Sequence, residues 1–250
     1  MTLFSSLKEY IHQEKGVTLA TVVHGPLELL GIKALIPAEG EPIGPLLETV
    51  LRDQLVADAQ TLLWQRTSTT RHYEALAVEI FFDVYAPAPK LIIVGGVHIA
   101  IELIHFAKPL GLRTYVVDPR TAFATPERFA HADELLHAWP DEVLPEIGLN
   151  SEASVVVVTH DPKLDDPALL VALPSPARYI GALGSPKTHA QRIERLLEEG
   201  LTRAQIDRLH APIGLDLGGR TPAEIALSIM AEIVAVRNDM PLAARLPQEP

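Results

Sequence analysis

Beyond Pro87-Ala88-Pro89 the chain alternates short apolar runs, rich in β-branched residues, with longer stretches of helical period. This alternation constrains the fold more than any other feature. Strands that alternate with helices pair in parallel, because each return to the same end of a sheet needs a crossover, which the helix supplies. The runs are Lys90 to Val94, Leu112 to Val117, Val155 to Thr159 and Tyr179 to Leu183, with a short one at Glu134 to His137. Between the first two, a helix carries Ile99, Leu103, Phe106 and Leu110 on one stripe and ends near Gly111; a long helix closes the region from Pro222 to about Val236. The expected class is α/β, with a Rossmann-like parallel sheet over residues 90–240 and helices on its faces.

Two prolines in three residues also mark a change of periodicity, which places a domain boundary there. Residues 1–86 are expected to form a smaller α+β domain. Thr2 or Ser5 caps a short helix in which Leu7, Tyr10 and Ile11 share a face, and strands follow at Val17 to Val23 and Gly31 to Ile36. A helix starts after Pro45 with Leu46, Leu47, Val50, Leu51 and Leu55 at helical spacing. From Tyr73 to Tyr85 the period is two, with Leu76, Val78, Ile80, Phe82 and Val84 on one face.

The 250 residues include 32 Asp and Glu against 21 Lys and Arg, a net charge of −11. So acidic a balance argues against nucleic acid as a partner, since such binding rests on a basic face. No apolar run approaches the roughly 20 residues needed to cross a bilayer, so no stable membrane insertion is expected. With no basic, apolar leader at Met1 to Lys15, the expected compartment is the cytoplasm. The chain has no cysteine, which excludes disulfides, thiolate nucleophiles and Cys-ligated metal centres.

Residues able to carry chemistry fall just after the apolar runs. After the first, Gly95-Gly96-Val97-His98-Ile99-Ala100 stands where a dinucleotide fingerprint has Gly-x-Gly-x-x-Gly/Ala. Val97 occupies the second glycine position, where a side chain would crowd a pyrophosphate, unless Gly96 takes that role in a turn shifted by one residue. Asp118 ends the second run about 20 positions beyond Gly95, the offset of an acidic residue that binds a ribose hydroxyl of NAD(P). Arg120 could instead meet a phosphate. After the fourth run, His160 with Asp161 could serve as acid and base or as a metal site; equally, Thr159 and Asp161 could cap the next helix. The spacing of the other histidines suggests no metal cage.

After the fifth run, Gly184-Ser185-Pro186-Lys187 opens a helix with Ser185 as N-cap and Pro186 at the first position. Its free N–H groups and Lys187 favour an anion. Arg and Glu residues between Gln191 and Glu199 form a solvated helix face. The segment Arg208 to Arg220 is an ordered loop with His210 and Asp216 as its chemical candidates, whereas Thr221 and Glu224 make a capping box.

Several of these pieces together resemble the XdhC/CoxI family of xanthine dehydrogenase accessory proteins. They are Val78 to Val84, the Gly-x-x-His turn at Gly95 to His98, Val117 to Arg120, Pro126 to Phe129, Ala132 to Glu134, Thr159 to Asp161, Tyr179 to Ser185, His210 to Asp216 and Thr221 to Ala226. The resemblance implies a molybdenum-cofactor chaperone, commonly a homodimer. It would bind molybdopterin, assist its sulfuration with a cysteine desulfurase, and deliver it to a xanthine-dehydrogenase-type or CO-dehydrogenase-type molybdenum hydroxylase client. Such a protein is not itself an enzyme. The implied cofactor site comprises Gly95, Gly96, His98, Asp118, Arg120, Thr159, His160, Asp161, Gly184, Ser185, Lys187, His210, Gly214 and Asp216.

The chain departs from the family pattern in its first domain. His24-Gly25-Pro26-Leu27-Glu28 stands where the family has Gly-Ser-Ser/Ala-Pro-Arg, and Pro45-Leu46-Leu47-Glu48-Thr49 where it has Ser-Gly-Gly-Cys-Val-Glu. A cysteine contact to molybdenum is therefore not expected. Two rival readings follow from the residues: a nucleotide-dependent oxidoreductase, from the sheet and Asp118, and an interaction scaffold with a vestigial crevice.

Overall fold

A computed structural model describes residues 2–240. The chain divides between Pro87 and Ala88 into two compact units, each with its own sheet.

In the first unit α1 (Leu3–His12) leads to β1 (Val17–His24) and β2 (Lys33–Pro37), and α2 (Arg52–Gln65) precedes β3 (Thr69–Tyr73) and β4 (Val78–Tyr85). The strands are antiparallel in the order β2-β1-β4-β3. Alternation along β1 sends Val17 and Leu19 to join Leu7 of α1, while Ala20 and Val22 face the other way and meet Leu55, Ala59 and Leu62 of α2.

Three expectations are corrected in this unit. Tyr73 to Tyr85 is not one strand: Glu74–Leu76 forms a 3-10 turn, Ala77 takes φ +48°, and Tyr73 pairs with Val78 across the reversal. No glycine or proline marks this turn, so periodicity ran straight through it. The helix after Pro45 stops at Glu48, because Thr49 is extended and its hydroxyl donates to the Leu46 carbonyl at 2.8 Å. Helix α2 starts afresh at Arg52. In α1 only Leu7 of the expected face is buried, whereas Ile11 is exposed.

The second unit comprises β5 (Lys90–Val94), α3 (His98–Ala107), β6 (Arg113–Val117), β7 (Glu134–Leu136), α4 (Pro140–Ile147), β8 (Ala153–Val157), α5 (Pro162–Ala172), β9 (Tyr179–Ala182), α6 (Pro186–Glu198), α7 (Arg203–Ile206), β10 (Leu209–His210) and α8 (Pro222–Arg237). All strand pairs are parallel, in the order β10-β9-β8-β5-β6-β7. The chain thus runs outward from β5 through β6 to β7, then crosses back to β8 and runs outward to β10. Its topological switch point lies between β5 and β8. Edge strand β10, inside the expected loop from Arg208, is a two-residue addition that periodicity cannot register.

Both faces of the sheet are covered. Ile92 and Val94 of β5 pack with residues of α4, α5 and α6, while Leu91 and Ile93 pack with residues of α3 and α8. The expected α3 stripe is corrected: Ala100, Leu103, Ile104 and Ala107 are buried, Phe106 is only partly so, and Leu110 lies beyond the helix end. Two alanines on the buried face let the backbone approach closely, which a search for large apolar residues overlooks.

Asp133, just before β7, accepts from the Thr114 N–H at 2.7 Å and hydroxyl at 2.8 Å, and pairs with Lys108. Burial alone would raise its carboxyl, but Lys108 and Thr114 hold it at about 2. The ionised form is therefore the one folding favours, with its contribution complete above 3.8 and lost as pH falls toward about 2. Discounted for partial exposure, Asp133→Asn is expected to cost about 1 kcal/mol near neutral pH. Urea unfolding should show that difference shrinking below the ordinary carboxylate range, and an equal loss at both ends would contradict the assignment.

Candidate functional site

A parallel sheet brings the carboxyl ends of its strands to one edge, so the segments after β5, β6, β8 and β9 gather there. The turns after β5 and β8 meet across the switch point. Gly95 has φ +121°, and a Cβ on it would lie 2.8 Å from Thr159 Cγ2, so only glycine permits this approach. Gly96 is buried beside it and donates its N–H to Asp118 Oδ2 at 2.8 Å.

Asp118 is fully buried and receives three further bonds. Arg120 donates its N–H and Nε to Oδ1, each at 2.9 Å, and Nη2 to Oδ2 at 2.8 Å. Burial pushes the carboxyl up, yet the Arg120 guanidinium and the two backbone N–H groups hold it below its ordinary range. A carboxylate offers about four acceptor sites, and here all four are filled. Asp118, a candidate for a ribose contact, here spends its acceptors on bracing the turns. Arg120 also stacks on Phe123 at 4.5 Å, and its Nη1 lies 4.0 Å from Asp161.

At the turn after β8 the capping alternative holds. Asp161 accepts from the Lys163 N–H at 3.1 Å as N-cap of α5. His160 is exposed, with φ +62°. No group of three or more His, Asp or Glu is placed to hold a metal among the described residues. The Thr159 hydroxyl donates to Asp165 Oδ1, and Asp165 Oδ2 accepts from Arg192 Nη2 at 3.1 Å. Burial pushes the Asp165 carboxyl up, against the pull of Thr159 and Arg192.

Arg192 corrects a second expectation. It belongs to the supposed solvated face of α6, yet it is only 1% exposed and is the largest fully buried side chain among the described residues. It lies four residues before the buried Leu196, hence on the same helix face. That spacing was the available signal. At the head of α6, Ser185 caps the helix, accepting from the Thr188 N–H at 3.2 Å, and Lys187 is exposed. His98 is exposed at the first position of α3, whose N-cap Val97 has no side-chain capping bond.

His210 and Gly214 gather elsewhere, around Glu232 of α8. This buried carboxylate accepts from the Tyr179 hydroxyl at 2.6 Å, the Gly214 N–H at 2.7 Å and His210 Nδ1 at 3.2 Å, while the His210 ring stacks on Tyr179 at 4.6 Å. Burial raises the Glu232 carboxyl, but His210, Tyr179 and Gly214 together bring it below its ordinary value. Asp216, grouped with His210 in the sequence, is exposed and accepts from the Gly218 N–H at 3.3 Å within its own loop. Glu232 itself went unnoticed, although a charge beside Ile229 and Ile233 in an apolar helix was its signal.

A doubly wound parallel sheet with glycine turns and paired charges at its switch point defines a Rossmann-type domain. The family model described as the XdhC Rossmann domain matches residues 91–233, and the chain belongs to the XdhC family. It is 32% identical to a Bacillus subtilis protein described as a probable xanthine dehydrogenase subunit, over 70% of this chain and 51% of that protein. It is 34% identical to the molybdenum cofactor insertion chaperone PaoD of Escherichia coli, over 36% of this chain and 28% of that one. The chain spans about half the length of the curated relatives it matches along most of its own length. A solved structure from Bacillus halodurans, described as a xanthine dehydrogenase, shares the fold with TM-score 0.54 and 21% identity over 93% of each chain.

The Glu232 cluster gives a direct test. Its folded carboxyl titrates below the ordinary 4.5, so its contribution is complete above that value and is lost as pH falls through the lowered one. Glu232→Gln is expected to cost about 2–3 kcal/mol at neutral pH, because three donors lose a charged acceptor. Denaturation as a function of pH should show the deficit narrowing in acid; a pH-independent deficit would count against the ionised cluster.

Proposed function

We propose that this protein is an accessory factor that binds the molybdenum cofactor as cargo and assists its insertion into a molybdenum hydroxylase of xanthine-dehydrogenase or CO-dehydrogenase type. The observation that carries this reading is the XdhC family match over residues 91–233, the segment that builds the switch-point crevice. The chaperone name of PaoD and the xanthine dehydrogenase name of the Bacillus subtilis relative point the same way.

The chemistry of the crevice suits a carrier better than a catalyst. Its buried carboxylates, Asp118 and Asp165, are each paired with an arginine, the half-buried Arg120 and the buried Arg192. They hold the turns around Gly95, Gly96 and Thr159 in a preformed arrangement, which limits the ordering cost when a polar ring system binds. The sequence has no cysteine, so it offers no thiolate to hold a molybdenum end by a metal–sulfur bond. Cargo held without such a bond is more easily handed to a client. Asp118, with its acceptors filled, makes a poor ribose anchor, which leaves the oxidoreductase alternative without its main support.

Protein purified from a molybdenum-replete host, or supplied with the cofactor, is expected to yield an oxidised pterin that fluoresces on denaturation. Finding neither retention nor uptake of the pterin at micromolar protein would remove the reading.

A further inference from the structure

The guanidinium of Arg192 is short of acceptors. Nη2 donates to the Leu183 carbonyl at 3.0 Å and to Asp165, but Nε and Nη1 are buried without a partner. Buried donors in that state call for an acceptor the chain does not supply. Long helical side chains run back toward the N-terminus, and Arg192 accordingly reaches the first turn of α6, which is 13 residues long. There Gly184, with φ +153°, lies over it. A Cβ on Gly184 would sit 3.6 Å from Arg192 Nη1 and 3.3 Å from Thr188 Cβ, so the missing side chain is what leaves the guanidinium close to the turn.

The same turn presents the positive end of a helix. Pro186 has no N–H, Lys187 N–H has no helical acceptor at the second position, and Lys187 adds an exposed cationic side chain to the same turn. The hydroxyls of Ser185 and Thr188 lie 2.9 Å apart, so one donates to the other and the second is left to donate outward.

We propose that Gly184, Ser185, Lys187, Thr188 and Arg192 form a site for a phosphate monoester. The anion takes the Lys187 N–H and a hydroxyl of Ser185 or Thr188, and the glycine turn yields so that Arg192 Nη1 reaches it. Placing the phosphate end of the pterin here rests on the cofactor-binding reading; the phosphate site itself does not. Asp165, paired with the same guanidinium, keeps part of its charge compensated and the affinity moderate, which suits release to a client.

Titration of the full chain with inorganic phosphate, followed by amide NMR, tests the site. Saturable shifts at Gly184 to Thr188 are expected. Lys187→Ala, at an exposed position, should weaken binding severalfold, and Arg192→Lys, which keeps charge but loses the fork, about tenfold. Asp165→Asn should tighten it, an effect that a purely structural Arg192 would not produce. Should Arg192→Lys fail to fold, Lys187→Ala and Asp165→Asn decide. No saturable binding by the folded wild type, or binding untouched by Lys187→Ala and Arg192→Lys, overturns the site. A nucleoside monophosphate and the molybdopterin phosphate separate the two sources of the same chemistry. Pterin binding indifferent to these variants overturns the site while the cofactor reading stands; phosphate and nucleotide binding that respond to them without any pterin binding uphold the site and remove the cofactor reading.

Discussion

Strand β5 is paired on both edges, with β6 on one side and β8 on the other, and all five of its residues are buried. No other strand occupies that place in the winding order. Because β6 follows it directly and β8 returns only after β7, the chain leaves β5 in one direction and later resumes on its opposite side. The two crossovers diverge there, and the gap between them opens at the carboxyl end of the sheet. Gly95 and Thr159 touch across that gap, so the position of every candidate side chain around it follows from the β5–β8 register, Val94 opposite Val157.

Buried charge then sets what the edge can do. Asp118 takes four donors from Gly96 and Arg120, Asp165 joins Thr159 to Arg192, and Glu232 ties Tyr179, His210 and Gly214 to α8. Each carboxylate would be costly to bury alone, and each is stabilised by donors from at least two separate elements or loops. Two groups that look reactive in the sequence, Asp118 and His210, thereby also brace the fold. Arg192 differs in keeping unpaired donors at a glycine turn, and Lys187 with the hydroxyls beside it is not otherwise committed to the core.

Much of the second unit was legible in advance. Continuous β-branched runs such as Val155 to Val158 have no polar face to expose, and the capping residues Ser185 and Thr221 mark helix starts with short-range chemistry. The misses share a cause. The reversal at Ala77, the break at Thr49 and the two residues of β10 depend on backbone conformations or pairings that no residue type in those positions demands. Arg192 and Glu232 were hidden because charged residues in helices usually face water, and only the packed sheet determines which ones do not.

The amino-acid sequence by itself determined the alternation of strand and helix, the division near Pro87-Ala88-Pro89, the glycine turns and the family pattern, since each is a local or periodic property of neighbouring residues. Tertiary structure alone decided which polar groups are free. Asp118 is bonded to Arg120 and Gly96, His210 is drawn to a carboxylate 22 positions away, and Arg192 is buried beneath Gly184. Hydrogen-bond capacity is shared among groups that meet only after folding, so it cannot be assigned from spacing along the chain.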